Sequence, residues 1–252
     1  MRLPLVLLYH IVAPCPADAD MEERGLFVEP MTFKEQMNDL ATRGFRTLTL
    51  DQFAAAISAP APPKSFVLTF DDAYAHVDPI VSPVLRAHRF SAVMFACPAQ
   101  LGGKNTWDSG HSNLSKLDIA TWEQLKDMAH GPWEIASHGQ RHVDLRSLDP
   151  DQRRADLREA RAQLSEIARK PVVDLAYPYG FDDPTVRADV LAAGYRMAFT
   201  AWHTSSADPL HLRRRPIRGT DSMTVFRLKT NGWSDGLYRA RGAARTLMGA
   251  GR

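Results

Sequence analysis

Along this chain, short continuous apolar runs alternate with apolar stripes at helical spacing. Residues 3–9 form the first run, which predicts a buried strand. Thr32-Phe33-Lys34-Glu35 reads as a capping box, in which the Thr32 hydroxyl and the Glu35 carboxylate satisfy free backbone donors. Phe33, Met37, Leu40 and Ala41 then recur at helical spacing, and Gly44 ends that helix. Residues 45–50 predict a second strand, and Asp51 opens a helix that stops in Ala59-Pro60-Ala61-Pro62-Pro63. Residues 65–70 are a third strand that runs straight into Asp71-Asp72. Helix follows at 79–88, strand at 91–96, and a long polar insertion at 98–118. Thr121-Trp122-Glu123-Gln124 caps another helix, and residues 133–136 return to strand. Asp149-Pro150 opens the clearest helix, apolar at Leu157, Ala160, Leu164 and Ile167 and closed by Lys170-Pro171. A strand at 172–176, a helix capped by Asp183-Pro184 and a strand at 195–200 complete the pattern. About seven strand–helix units in one chain predict an α/β barrel.

Composition narrows the function classes. The chain has 252 residues, 44% hydrophobic and 24% charged, enough to bury one sizeable core. Thirty-one basic and 29 acidic residues leave +2, so no global field steers the protein onto nucleic acid. Two cysteines, Cys15 and Cys97, make neither a disulfide framework nor a four-cysteine zinc site. No apolar stretch approaches the ~18 residues of a membrane span. The N-terminal run is broken at once by Tyr9-His10 and lacks a cleavage pattern, which predicts a strand and a cytoplasmic protein, or an extracytoplasmic one if a leader is missing. One domain over residues 1–252 is expected, with a core at about 3–217 and a C-terminal extension at 218–252, loosely held from Gly242 onward.

In a parallel barrel the reactive groups gather where strands end. Four strand candidates end that way here: in Tyr9-His10, Asp71-Asp72, Ser137-His138 and Tyr177-Pro178-Tyr179-Gly180. His138 and His142 stand at i and i+4, a separation that places both imidazoles on one side of a helical turn, within reach of one metal ion. Two adjacent carboxylates at the end of a buried strand raise each other's pKa, a penalty that a divalent cation removes. Neighbouring residues point in different directions, so the natural division is one ligand and one base. A carboxylate with two histidines leaves positions open for water and substrate, as hydrolytic metal sites require. Such donors suit zinc, and cobalt, nickel and iron fit them as well.

Taken in order, Thr69-Phe70-Asp71-Asp72-Ala73, His138 to His142 and Tyr177-Pro178-Tyr179-Gly180 resemble the polysaccharide deacetylase family, the NodB-homology domain. Leu8-Tyr9-His10, the helix and strand of residues 33–50 and Asn105 to Asp108 are similar to its poly-N-acetylglucosamine deacetylase branch. The resemblance implies a distorted (β/α) barrel of seven strands and metal-dependent removal of acetyl groups from N-acetylhexosamine units in a polysaccharide, oligosaccharide or precursor. It implies Asp71 as general base, Asp72, His138 and His142 as metal ligands, and His10 as general acid. Tyr177, Pro178 and Gly180 would line the groove, with the Tyr179 backbone N–H holding the oxyanion. In the long insertion, Trp107 and Asp108 are candidates for contact with an N-acetylated glycan. Ala73 stands where the family usually has glycine, and the arginine usual before Pro-Tyr is absent, Leu175 and Ala176 occupying that stretch. Arg214 or Arg215 is a candidate to orient the base instead. The cluster Arg213–Arg215 with Arg218 reads by itself as a solvated basic strand end, the alternatives being contact, through Arg215 among them, with an anionic substrate group, a lipid-linked precursor or a membrane surface. His76, His88, His111, His130, His203 and His211 read as structural or surface residues, and Trp122 and Trp133 as core. Transient contact with membrane-bound polysaccharide machinery is compatible with this picture. A hydrolase of a small non-sugar amide on the same fold and a non-catalytic carbohydrate-binding protein are the rival readings.

Overall fold

A computed structural model describes residues 3–108, 110, 111, 113–201 and 208–231. His203 and the tail beyond Gly242 lie outside the described residues. The chain divides into two compact units, Met1–Thr220 and Asp221–Arg252. In chain order the first unit comprises β1 (Leu5–Tyr9), β2 (Ile11–Val12), α1 (Met21–Leu26), β3 (Phe27–Val28), α2 (Pro30–Thr42), β4 (Arg46–Thr47) and α3 (Leu50–Ser58). It continues with β5 (Ser65–Asp71), α4 (Val77–His88), β6 (Ala92–Ala96), α5 (Trp122–Ala129), β7 (Trp133–Ser137) and α6 (Pro150–Ala168). It ends with β8 (Asp174–Ala176), α7 (Pro184–Ala192), β9 (Met197–Thr200), β10 (Leu212–Arg213) and β11 (Arg215–Pro216). In the second unit α8 (Met223–Thr230) is capped by Ser222, which accepts from the Val225 N–H. No helix among the described residues is long and apolar enough to cross a membrane.

The main sheet runs β10-β9-β8-β7-β6-β5-β1-β11, all parallel, with β4 beside β5. Its two ends come from one stretch of chain. Leu212 and Arg213 pair with Phe199 and Thr200, whereas Arg215 and Pro216 pair with Leu7 and Leu8. Residues 212–216 therefore bridge β9 to β1 and nearly close the ring, giving the expected (β/α) barrel. The seven staves differ by one from the sequence reading. Residues 45–50 shrink to the two-residue β4, because Leu50 already belongs to α3, whose N-cap Thr49 forms a capping box with Gln52. The missing stave is 212–216, where two two-residue strands framed by arginines carry no apolar run.

The barrel interior is filled by Val6, Val67, Val93, Phe95, Met197 and Phe199. Leu50 and Phe53 of α3 enter the same cluster, and the Leu50 N–H donates to Glu134 near the start of β7, so α3 plugs the N-terminal end. Outside the ring, Tyr9 stacks on Phe70 at 5.4 Å and meets Phe33 edge-on at 5.5 Å, while its hydroxyl donates to Gln36 of α2. Each such ring pair adds about 0.5–1.5 kcal/mol to the burial itself.

Two local expectations give way. Helix α2 begins at Pro30 without a side-chain cap, so Thr32 lies inside the helix. Proline's fixed φ favours the first helical position and starts the helix three residues early, with Glu29 in place of Thr32 at the N-cap. Trp133 is core, but Trp122 is only half-buried, with the Lys126 ammonium 5.8 Å from its ring.

Candidate active site

At the C-terminal end of the barrel the four reactive strand ends meet in one cleft. His10, Asp71, Asp72, His138, His142 and Tyr179 all line it. Their backbone is unusual: Asp72, Ala73, His142 and Tyr179 have φ of 73°, 57°, 53° and 59°, in the left-handed region that costs a non-glycine residue roughly 1–2 kcal/mol. The left-handed Ala73 accounts physically for a glycine at that place in the family. Strain of this kind persists where surrounding structure fixes it, commonly at functional sites. The histidines do not share a helical turn as their spacing predicts. Gly139, at φ 76°, and the left-handed His142 fold residues 138–142 into an irregular loop, and this turn brings the two rings to 5.0 Å.

Asp71 and Asp72 divide as adjacent residues must. Asp71 accepts from both terminal nitrogens of the Arg214 guanidinium, at 2.6 and 2.7 Å. Burial alone would raise its carboxyl, but Arg214, with His138 beside it, holds it below the usual carboxylate range. Arg214 is 2% exposed and lies 5.2 Å from the Phe95 ring centroid. The expectation of a solvated basic strand end therefore fails: Arg214 and Arg215 are both buried.

Asp72 faces the histidines. Its Oδ1 lies 3.2 Å from His142 Nε2 and 3.6 Å from His138 Nε2. The His138 Nδ1 is 2.8 Å from the Ala176 carbonyl, a contact that places a proton on Nδ1 and turns the Nε2 lone pair toward Asp72. Burial pushes His138 down to about 4, so the ring is neutral, as a ligand must be. Burial would raise Asp72, yet His142 and His138 hold it well below the carboxylate range. Asp72 Oδ1 is nevertheless buried without a hydrogen-bond donor. One atom from each of Asp72, His138 and His142 lies within 4.8 Å of the others. A buried carboxylate oxygen with no donor, met by two imidazole nitrogens, fits a divalent cation.

Aromatic rings enclose His142. Trp107 lies 4.6 Å from it and Tyr179 meets it edge-on at 4.7 Å. Asp108 lines the cleft with Trp107 and is fixed by Asn105, which donates to its Oδ2 at 2.6 Å and to the Tyr74 hydroxyl at 2.7 Å. Gly180 also lines it, at φ 73°, where an added Cβ would come within 2.7 Å of Ala201.

The family is decided by a match over more than half of the chain: residues 58–198 fit the model described as polysaccharide deacetylase. The chain belongs to the polysaccharide deacetylase family. Asp71, Asp72, His138, His142 and Tyr177–Gly180 lie within the match, and His10 and Arg214 outside it. YxkH of Bacillus subtilis (strain 168), named as a polysaccharide deacetylase, is 25% identical over 202 residues, 79% of this chain and 64% of that protein. The poly-beta-1,6-N-acetyl-D-glucosamine N-deacetylase of Escherichia coli (strain K12) is 28% identical over 126 residues, 48% of this chain and 19% of its own length. The chain thus spans less than two thirds of these relatives. Among solved structures, the Streptococcus pyogenes deacetylase PplD in complex with acetate superposes with a TM-score of 0.78 at 20% identity, covering 92% of this chain and 99% of that one. IcaB from Ammonifex degensii does so with a TM-score of 0.74 at 24% identity, covering 90% and 97%. At these identities the structures establish the fold.

Three expected substrate contacts sit elsewhere. Tyr177 turns into the core, donating its hydroxyl to the Leu210 carbonyl, and Pro178 is buried; neither lines the cleft. Arg215 is held in β11 beside Leu7 and also lies outside the cleft lining, so its neighbour Arg214 supplies the guanidinium at the site. Arg218, grouped in the sequence with the arginines at 213–215, lines the cleft, and Glu22 lines it without any sequence signal, because no motif or spacing ties Glu22 to the strand ends.

Proposed function

We propose that this polysaccharide deacetylase is a metal-dependent N-deacetylase of N-acetylhexosamine units in a polysaccharide, oligosaccharide or precursor. One observation carries the reading: a carboxylate clamped by arginine, Asp71, stands beside a separate Asp72–His138–His142 donor group in one cleft. The naming of the Escherichia coli relative as a poly-beta-1,6-N-acetyl-D-glucosamine N-deacetylase supports the substrate class. So do the Trp107 and Tyr179 rings beside the donor group, since aromatic faces suit the apolar faces of sugars.

Asp72, His138 and His142 would hold the cation, with zinc first among the metals that suit them. When bound, the ion acts as a Lewis acid that polarises a carbonyl and acidifies water. Asp71, kept ionised and oriented by Arg214, takes a proton from the attacking water as its oxygen bonds to the acetamide carbon. The Tyr179 backbone N–H steadies the developing oxyanion. His10, at the end of β1, delivers a proton to the amide nitrogen as the carbon–nitrogen bond breaks, because an unprotonated amine leaves poorly. The products are acetate and a free hexosamine amine. The test compares kcat/KM for N-acetylglucosamine oligomers of increasing length with that for small non-sugar acetamides. A rise with oligomer length is the expected result; a preference for the small amides would overturn the substrate class.

A further inference from the structure

At the opposite end of the barrel lies a second cavity with different chemistry. Arg46, the first residue of β4, pairs with Ser65, the first residue of β5, whereas Asp71 is the last. The cavity is thus at the N-terminal end, away from the catalytic cleft. Arg46, His88 and Arg89 line it together with Phe45, Thr47 and Phe90, and no aspartate or glutamate does. Both guanidiniums belong to exposed residues, and neither makes a hydrogen bond or ion pair with any described residue. Lys64 adds an ammonium at the rim, donating to the Arg43 carbonyl at 2.8 Å and lying 3.9 Å from where a Gly44 Cβ would stand. Arg43, by contrast, is committed to Asp39 at 2.7 Å and lies over the Phe45 ring.

Helix ends explain only part of this charge. Arg86 and His88 stand in the last turn of α4, where cations favour the negative end of the helix dipole. Arg46 is in a strand and has no such role. Arg89 and Lys64 both sit at φ 54°, where glycine or asparagine is the usual residue because a Cβ crowds the following carbonyl oxygen. Their backbone gains nothing from being arginine or lysine, so the positive charge is what these positions supply. The floor beneath is aromatic: Phe66 lies 6.2 Å from Phe45 and 5.4 Å from Phe90.

We infer that this cavity binds a phosphoryl group, gripped by the guanidiniums of Arg46 and Arg89, with Phe45 and Phe90 receiving the organic portion that carries it. A guanidinium presents paired N–H donors that match phosphate oxygens, and two such groups without carboxylate partners leave that valence open. The phosphoryl group can come from a free phosphorylated compound or from a lipid headgroup.

The experiment titrates the full chain with inorganic phosphate, followed by amide chemical shifts, and in parallel with phosphatidylcholine vesicles with and without phosphatidylglycerol, followed by co-sedimentation. An Arg46→Ala/Arg89→Ala variant is compared throughout, its folding checked by thermal melting. The expected result is shifts at the cavity residues and an affinity at least about tenfold weaker in the variant, as loss of two charge-assisted contacts requires. Deacetylation of a soluble oligomer should be equal in both proteins, because neither arginine is near the cleft. Phosphate binding without vesicle binding identifies a free ligand, and binding confined to the phosphatidylglycerol vesicles identifies a headgroup. Binding of neither, or binding undiminished in the variant, overturns the inference.

Discussion

Arg214 holds both carboxylate oxygens of Asp71, at 2.6 and 2.7 Å, across 143 positions of sequence. Arg214 stands between the two halves of the closing stave, with its N–H on the Thr200 carbonyl. The segment that completes the barrel therefore also orients Asp71, the proposed base. Removing this partner leaves a buried carboxylate uncompensated. For Arg214→Met we predict about 3–5 kcal/mol of lost stability, measured by denaturant unfolding. Asp71 is held low by Arg214 against the effect of burial, so its pKa must rise in the variant. The acidic limb of the rate profile should move to higher pH, and Arg214→Lys should restore only part of the loss because lysine cannot form the paired contact.

Asp72 has one buried oxygen without a hydrogen-bond donor, facing two imidazole nitrogens. Substitution by asparagine keeps the shape and removes the charge that a cation needs. Metal content per chain, read by elemental analysis after dialysis, should fall from one equivalent to a small fraction in Asp72→Asn. The far-ultraviolet circular dichroism should be unchanged. The same loss is expected for His142→Gln.

Trp107 lies against His142 at 4.6 Å and lines the cleft. If its ring also meets a sugar, Trp107→Ala raises KM by up to about tenfold, the equivalent of 0.5–1.5 kcal/mol of ring stacking. Metal content in this variant reports whether His142 has moved. The predicted outcome is a higher KM with metal retained.

His111 ties the long insertion to the start of α1, with Nδ1 3.0 Å from Asp20 and Nε2 3.7 Å from Glu22. The hydrogen bond to Asp20 raises its pKa above the ordinary histidine value. A group raised in the folded state stabilises most below its unfolded pKa of about 6.5, and the contribution is lost as pH climbs through the folded value. Titration of the ring protons should give a midpoint above 6.5. Asp20→Asn should bring it down. An unshifted midpoint in the native protein would show that the tie does not form in solution.

How much of this is legible in the sequence depends on the range of the interactions. The helices α5 and α6 announce themselves because their caps are local, whereas α3 is found but its start, capped by Thr49, is read as strand. Thr121 with Gln124 and Asp149 with Pro150 need nothing from elsewhere in the chain. Thr32 misleads because Pro30, two residues earlier, competes for the same start. The pairing of His138 with His142 is right in its partners and wrong in its backbone: i,i+4 spacing suits a helical turn, but a loop with two left-handed residues converges the same rings. The stave at residues 212–216 escapes notice because its arginines look like surface. Only the distant Asp71 makes a buried Arg214 tolerable. Tyr177 reads as groove-lining from its place beside Tyr179, yet its alternation along the chain turns it into the core, onto Leu210.

In the proposed mechanism Asp71 is the base of a metal-dependent N-deacetylation. The most direct measurement is acetate release from N-acetylglucosamine oligomers with zinc, cobalt or nickel supplied, for the native chain beside Asp71→Asn. Release should require the metal and fall by on the order of 10²–10⁴ in Asp71→Asn while metal stays bound. Equal release by the two proteins, or none from any oligomer by a native chain carrying one equivalent of metal, would contradict it.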